Sequence, residues 1–170
     1  ILLFVLTITS NNNTENLLKT NLQIGDNGKY VHSIYLLNDS GLLVKSKILL
    51  DEENEKSKIA SLVTNLVVGN SNIMVDGLRG VIPKGTTIKE VIVGKNIVTI
   101  DFSKEILNVS SNDEKKMVAA IVYSIMELGN YKGVSLLVEG ENFDKYPNSL
   151  EKIPTVLNKS LGINESYNIT

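Results

Sequence analysis

From Tyr30 onward the chain alternates between short runs of branched apolar residues and longer stretches whose apolar residues return every three to four positions. "YVHSIYLL" and "LLVKSKILL" are two strand-like runs joined by Asn38-Asp39-Ser40-Gly41, polar-plus-glycine chemistry that suits a hairpin loop. In the stretch that follows, Ile59, Leu62, Val63, Leu66 and Val67 fall at i, i+3, i+4, i+7 and i+8, the apolar stripe of an amphipathic α-helix. Asp51, Glu52, Glu53 and Glu55 crowd its start, where the helix dipole favours negative charge, and Gly69 is placed to end it. Residues 70–87 form a connection closing on Pro83-Lys84-Gly85, whose spacing suits positions i+1 and i+3 of a type I turn.

"IKEVIV" and "NIVTIDF" then predict a second hairpin around Gly94-Lys95-Asn96. Period-two geometry points Val98, Ile100 and Phe102 one way and Ile97, Thr99 and Asp101 the other. The second helix opens with capping-box spacing at Ser111 and Glu114. Met117, Ile121, Ser124, Ile125 and Leu128 share one of its faces, Val118 and Val122 widen it, and Gly129 ends it. "GVSLLVEG" is a last short apolar strand.

The order β-β-α-β-β-α-β over residues 30–141 predicts an α+β domain of two layers, a mixed five-stranded sheet with two helices. Residues 1–29 precede it as the apolar run "ILLFVLTIT" and an Asn- and Thr-rich linker, and residues 142–170 follow as a polar, proline-punctuated C-terminal tail. Nine helical residues rise only about 13 to 14 Å, roughly half a hydrocarbon core. The run therefore reads as the end of a signal peptide or membrane anchor, the alternative being a strand packed on the domain.

Composition narrows the function. The chain of 170 residues suits one domain with a proper core. A net charge of −2 and a single arginine, Arg79, argue against nucleic acid as a partner. The absence of cysteine excludes disulfides, thiolate metal sites and cysteine nucleophiles. His32 is the only histidine, so any Ser-His-Asp triad or histidine metal site would have to use it. It lies in a strand in phase with Ile34 and Leu36, where a histidine is ordinarily a packing residue. The patterns G-x-S-x-G, Walker A, G-x-G-x-x-G and H-E-x-x-H are all missing. Of the carboxylates, Asp113 and Glu114, like the acids at residues 51–55, begin a helix, and Glu139 and Glu141 close the last strand. No pair stands out as an acid and base.

Asp101-Phe102-Ser103 is the most conspicuous polar element, because it follows directly on a branched apolar run. Asp101 is out of phase with the Val98, Ile100, Phe102 face. Aspartate and serine also end strands by accepting backbone N–H bonds, so the element reads as a cap on the turn "SKEIL", with Asp101 or Ser103 as the capping residue. No catalytic, cofactor-binding or metal residue is assigned, and the domain reads as no enzyme.

These residues carry a family resemblance. "VIPKGTTIKEVIVGKNIVTIDFSKEI" followed by "MVAAIVYSIMELGNYKGVSLLVEGE" resembles the GerMN domain of sporulation and spore germination proteins. The match runs through Pro83-Lys84-Gly85-Thr86, Ile100-Asp101-Phe102-Ser103, Ile121-Val122-Tyr123-Ser124 and Val138-Glu139-Gly140, with "IYLLNDSGLLVK" and "SLVTNLVVG" fitting the opening hairpin and first helix. The resemblance implies a non-catalytic, extracytoplasmic bacterial domain, similar in outline to ring-building motifs. It implies a membrane-anchored setting at the cell envelope, protein partners in a sporulation assembly, no cofactor, and Asp-Phe-Ser as part of the fold signature. A ligand-binding envelope domain, for instance for cell-wall glycan, is the competing expectation. The family's frequent Gly-Pro after the first helix is Gly69-Asn70 here. The strands around Ile34–Leu37 and Val134–Val138 are apolar on both phases, which predicts either a central place in the sheet or a second face covered by the termini or by another subunit, and self-association at a membrane is expected.

Overall fold

The computed structural model describes residues 29–51, 54–70, 75–129 and 131–162. Glu52, Glu53 and the apolar run at residues 1–9 lie outside the described residues. Strands β1 (Lys29–Asn38) and β2 (Leu43–Asp51) form the predicted hairpin, paired from Lys29↔Asp51 to Leu37↔Leu43. Helix α1 (Glu55–Thr64) begins at Asn54, whose side chain accepts the Ser57 N–H at 2.8 Å. The dipole-favouring Glu55 sits in its first turn, and Ile59, Leu62 and Val63 are its buried face. Gly69, with φ of +85°, turns the chain out of the helical region beyond it.

The connection then returns along the end of α1. The Leu66 carbonyl accepts from both Val81 N and Ile82 N, at 2.8 and 2.9 Å. A Cβ on Gly80 would stand 2.3 Å from that carbonyl oxygen, so only glycine allows the approach. The next turn differs from the expected type I. Thr86 N–H donates to Pro83 O, which puts Pro83 at position i and Gly85, at φ of +89°, at i+2. A positive φ at i+2 is the signature of a type II turn.

Strand β3 (Leu78–Arg79) is two residues long and joins β1 at Leu37 and Asn38. Strands β4 (Ile88–Val93) and β5 (Ile97–Phe102) form the second predicted hairpin, with a bulge between Ile88 and Glu90. Helix α2 (Glu114–Met126) crosses from β5 to β6 (Gly133–Val138), which lies parallel to β5 and is extended by β7 (Glu141–Asn142).

Among the described residues the fold is α+β with two α-helices, but the expected single five-stranded sheet is not what forms. The described residues form two sheets, β2-β1-β3 and β4-β5-β6-β7. Helix α2 explains the division. Every residue from Met117 to Ile125 is buried, so this helix is not a half-solvated cover but a central element touching both β1 and β6. A helix apolar all round must be enclosed. Where a further strand would otherwise have continued the sheet beside β1, the Ser124 hydroxyl accepts the Tyr35 backbone N–H at 3.0 Å. A buried strand edge needs such a partner, because an unmatched backbone N–H in the core is costly.

Residues 142–161, read from sequence as a tail, contribute Phe143, Tyr146, Ile153 and Leu157 to the core. Leu157 exchanges backbone hydrogen bonds with Val134, both at 2.8 Å, along the free side of β6. Gly133 makes room for this segment, since a Cβ there would lie 2.5 Å from Val156 Cγ1.

Candidate functional site

The Asp-Phe-Ser element ends β5 beside the ends of β4 and β6, and each of its polar groups is bonded to backbone. Asp101 Oδ1 accepts the Gly140 N–H at 3.0 Å. Ser103 Oγ accepts the Thr87 N–H at 3.0 Å, and Ser103 N donates to Thr87 O at 2.9 Å. Phe102 points inward and is buried. Ser103 stands at the start of the 3-10 turn Lys104–Asn108, but its hydroxyl bonds Thr87 and does not cap that turn.

Glu139 completes the junction. Its Oε1 accepts the Lys104 N–H at 2.9 Å, and its Oε2 pairs with Lys89. These two bonds hold its carboxyl below the ordinary carboxylate range. Glu139 adopts φ of +52°, a left-handed conformation that a non-glycine residue holds only where its surroundings require it. Asp101, Ser103 and Glu139 thus stitch three strand ends together. The structure agrees that Asp101 and Ser103 accept backbone N–H groups, but the partners are Gly140 in the β6–β7 turn and Thr87 just before β4, not the following 3-10 turn.

Three further carboxylates, Glu114, Glu127 and Glu55, are also engaged. Glu114 is 2% exposed and does not close a capping box with Ser111; the residue before helix α2 is Asp113. Glu114 instead accepts from Asn148 N at 2.7 Å, Asn148 Nδ2 at 3.1 Å and Ser149 N at 3.0 Å, clamping the C-terminal segment. Burial alone would push its pKa up, but these hydrogen bonds hold it below the usual range. Sequence reasoning missed this role because the partner lies 34 residues away.

Glu127 gathers Lys159 Nζ at 2.7 Å, Lys45 Nζ and the Tyr35 hydroxyl at 3.3 Å. Burial opposes its charge, yet the two ammonium groups bring its pKa down to about 2. Glu55 accepts the Tyr131 hydroxyl at 2.7 Å and pairs with Lys58. Burial and the Glu55 carboxylate push the Tyr131 phenol upward. His32 lies in β1 within electrostatic reach of Glu55. Among the described residues no three His, Cys, Asp or Glu side chains converge as a metal site would require.

A cleft of about 480 Å³ opens between α1 and the edge strand β4. Ala60, Val63, Val67, Val91 and Phe102 give it apolar walls, and Lys56, Ser57, Thr86 and Thr87 add polar groups. The Thr86 hydroxyl is buried there with no hydrogen-bond partner among the described residues. Thr86 belongs to the Pro83-Lys84-Gly85-Thr86 motif, but no local pattern marks its hydroxyl as buried, because that burial follows from how the connection returns past α1.

Comparison with known proteins agrees with the resemblance drawn from the motifs. The family model described as sporulation and spore germination (Germane) matches residues 33–144. The chain is 27% identical over 164 residues to the spore germination protein GerM of Bacillus subtilis, which covers 91% of this chain and 44% of that protein. It therefore spans less than half the length of that relative. The solved tandem GerMN domains of the B. subtilis protein superpose with a TM-score of 0.73 at 27% identity, over 80% of this chain and 48% of that one. The first GerMN domain alone gives a TM-score of 0.69 at 25% identity, over 77% of this chain and 98% of that one.

Proposed function

Because the chain belongs to the sporulation and spore germination (Germane) family, we propose that it is a non-catalytic, extracytoplasmic scaffold or assembly module of the bacterial cell envelope. On this reading it acts in sporulation or spore germination, is held at a membrane by an N-terminal segment, and engages protein partners or further copies of itself. The observation that carries the reading is the use made of the motif's polar groups. Asp101, Ser103 and Glu139 all bond backbone N–H groups, so the chemistry that would suggest an active site is spent on joining strands.

Crosslinking the protein in its own membrane tests the reading. Recovery of a repeated partner, or of a second copy, supports it. A strictly monomeric product with no partner, or full sporulation and germination after deletion in the source organism, removes its support.

The α1–β4 cleft favours a second reading, an envelope domain that binds a ligand such as cell-wall glycan. A buried hydroxyl without a partner is costly, and a sugar hydroxyl would satisfy it if the cleft wall opened to admit one. Heat release on mixing with purified wall fragments, abolished by Thr86→Val, would favour this reading over the scaffold.

A further inference from the structure

One end of the molecule collects exposed apolar residues. In the β4–β5 hairpin, Ile92 is 50%, Val93 39% and Ile97 37% exposed; Ile92 and Ile97 share the outer face, and Val93, paired with Val98, is on the other, so the tip presents apolar side chains on both faces. Ile97 stands opposite Gly133 on β6, and Val156, 41% exposed, lies against Gly133. Lys95 is in the hairpin tip, and Lys132 is tied to that tip by its backbone N–H, which donates to Asn96 O at 2.7 Å. Neither lysine makes an ion pair among the described residues, whereas Lys45, Lys89, Lys115 and Lys159 are all paired with glutamates.

The same end receives the start of the described chain. Lys29, the first residue of β1, pairs with Asp51, the last of β2, and α1 begins four residues on at Glu55. Glu55 accepts the Tyr131 hydroxyl, and Tyr131 precedes Lys132. The beginning of β1, the beginning of α1 and the hairpin tip therefore share one end. Asp51 also lies at this end, on the three-stranded sheet, so the end as a whole is not a cationic plate. The apolar tip and its two lysines are set apart from it on the other sheet.

We propose that the β4–β5 hairpin tip is a lipid-contact site, which seats Val93 and Ile97 at the headgroup boundary of an anionic phospholipid bilayer with Lys95 and Lys132 among the headgroups. Apolar side chains beside lysines form the combination that binds an anionic interface, where shallow apolar burial adds to attraction by the surface charge. This inference rests on the membrane-anchored part of the reading above. A membrane tether raises the local concentration of the tip at the bilayer surface without adding contacts.

The chain has no tryptophan, so single tryptophans placed at Val93→Trp and, at the opposite end, Leu107→Trp report depth separately. Each full chain is added to vesicles of phosphatidylcholine and phosphatidylglycerol, with and without brominated acyl chains. The expected result is a blue shift and quenching at position 93 and neither at position 107. Lys95→Gln and Lys132→Gln each weaken tip engagement by about fivefold on these vesicles and leave it unchanged on phosphatidylcholine alone. Association without greater quenching at position 93 overturns the inference and leaves the anchored reading standing. Failure of the chain to associate overturns both. If Val93→Trp does not fold, Lys95→Cys carrying an environment-sensitive dye reads the same tip, and an aqueous signal on bound chain likewise overturns the inference.

Discussion

The two ends of the four-stranded sheet are built on opposite principles. At the closed end Asp101, Ser103 and Glu139 bond the backbone of neighbouring elements, and Phe102 fills the space beneath them. At the open end Val93 and Ile97 face solvent beside Lys95 and Lys132, and the backbone alone closes the turn, through Gly94 N–H to Ile97 O at 2.9 Å. The residues that look chemical are therefore structural, and the residues that look ordinary are the ones left available. Polar residues in a motif mark function only after their hydrogen bonds have been accounted for.

Substitutions at the two ends should separate in size. Phe102→Ala removes a fully enclosed ring from the closed end, and about 3 to 5 kcal/mol of stability should be lost by denaturant unfolding. A loss below about 1 kcal/mol would mean the closed end is not the packed junction described. Gly133→Ala probes the boundary between the open end and the C-terminal segment. Its new methyl meets Val156 Cγ1 at 2.5 Å and the Leu157 carbonyl at 3.1 Å, so a cost of about 1 to 3 kcal/mol and faster proteolysis after residue 142 are expected.

Asp101→Ala should cost about 0.5 to 1.5 kcal/mol, the net worth of one hydrogen bond to a solvent-accessible N–H, and Asp101→Asn less. Val93→Ser and Lys95→Gln at the open end should stay within about 0.5 kcal/mol of the unsubstituted protein.

A pH series adds an internal control away from both ends. The Glu127 pKa is depressed to about 2 by Lys159 and Lys45. A depressed carboxylate contributes stability that is full above its unfolded pKa, about 4.3, and is lost as pH falls through the folded value. The melting temperature should therefore drop between about pH 4 and pH 2, and the drop should be shallower in Glu127→Gln.

How much of this was legible in sequence depended on how local the determining interactions are. The two hairpins and the stripe of α1 follow from periods of two and 3.6 and were readable. The division into two sheets was not, although its cause was in view. "MVAAIVYSIM" is apolar on every side, which requires enclosure, yet only one face was read as buried. The Asp101 and Ser103 side chains were readable as acceptors of backbone N–H groups. Their partners, Gly140 and Thr87, depend on strand register, which no local pattern specifies. The same limit hid the clamp between Glu114 and Asn148 and the burial of Thr86.

On the proposed reading, the closed end holds the fold and the open end is the surface left for contact. That division is tested most directly by measuring, for one set of variants, both the unfolding midpoint and the ability to restore sporulation or germination in a deletion strain. Asp101→Asn, Ser103→Ala and Glu139→Gln should lose activity only in proportion to lost stability, while Val93→Ser and Lys95→Glu should lose activity with the midpoint unchanged. Full loss of activity in Asp101→Asn or Glu139→Gln at an unchanged midpoint, with the open-end variants fully active, would contradict the account.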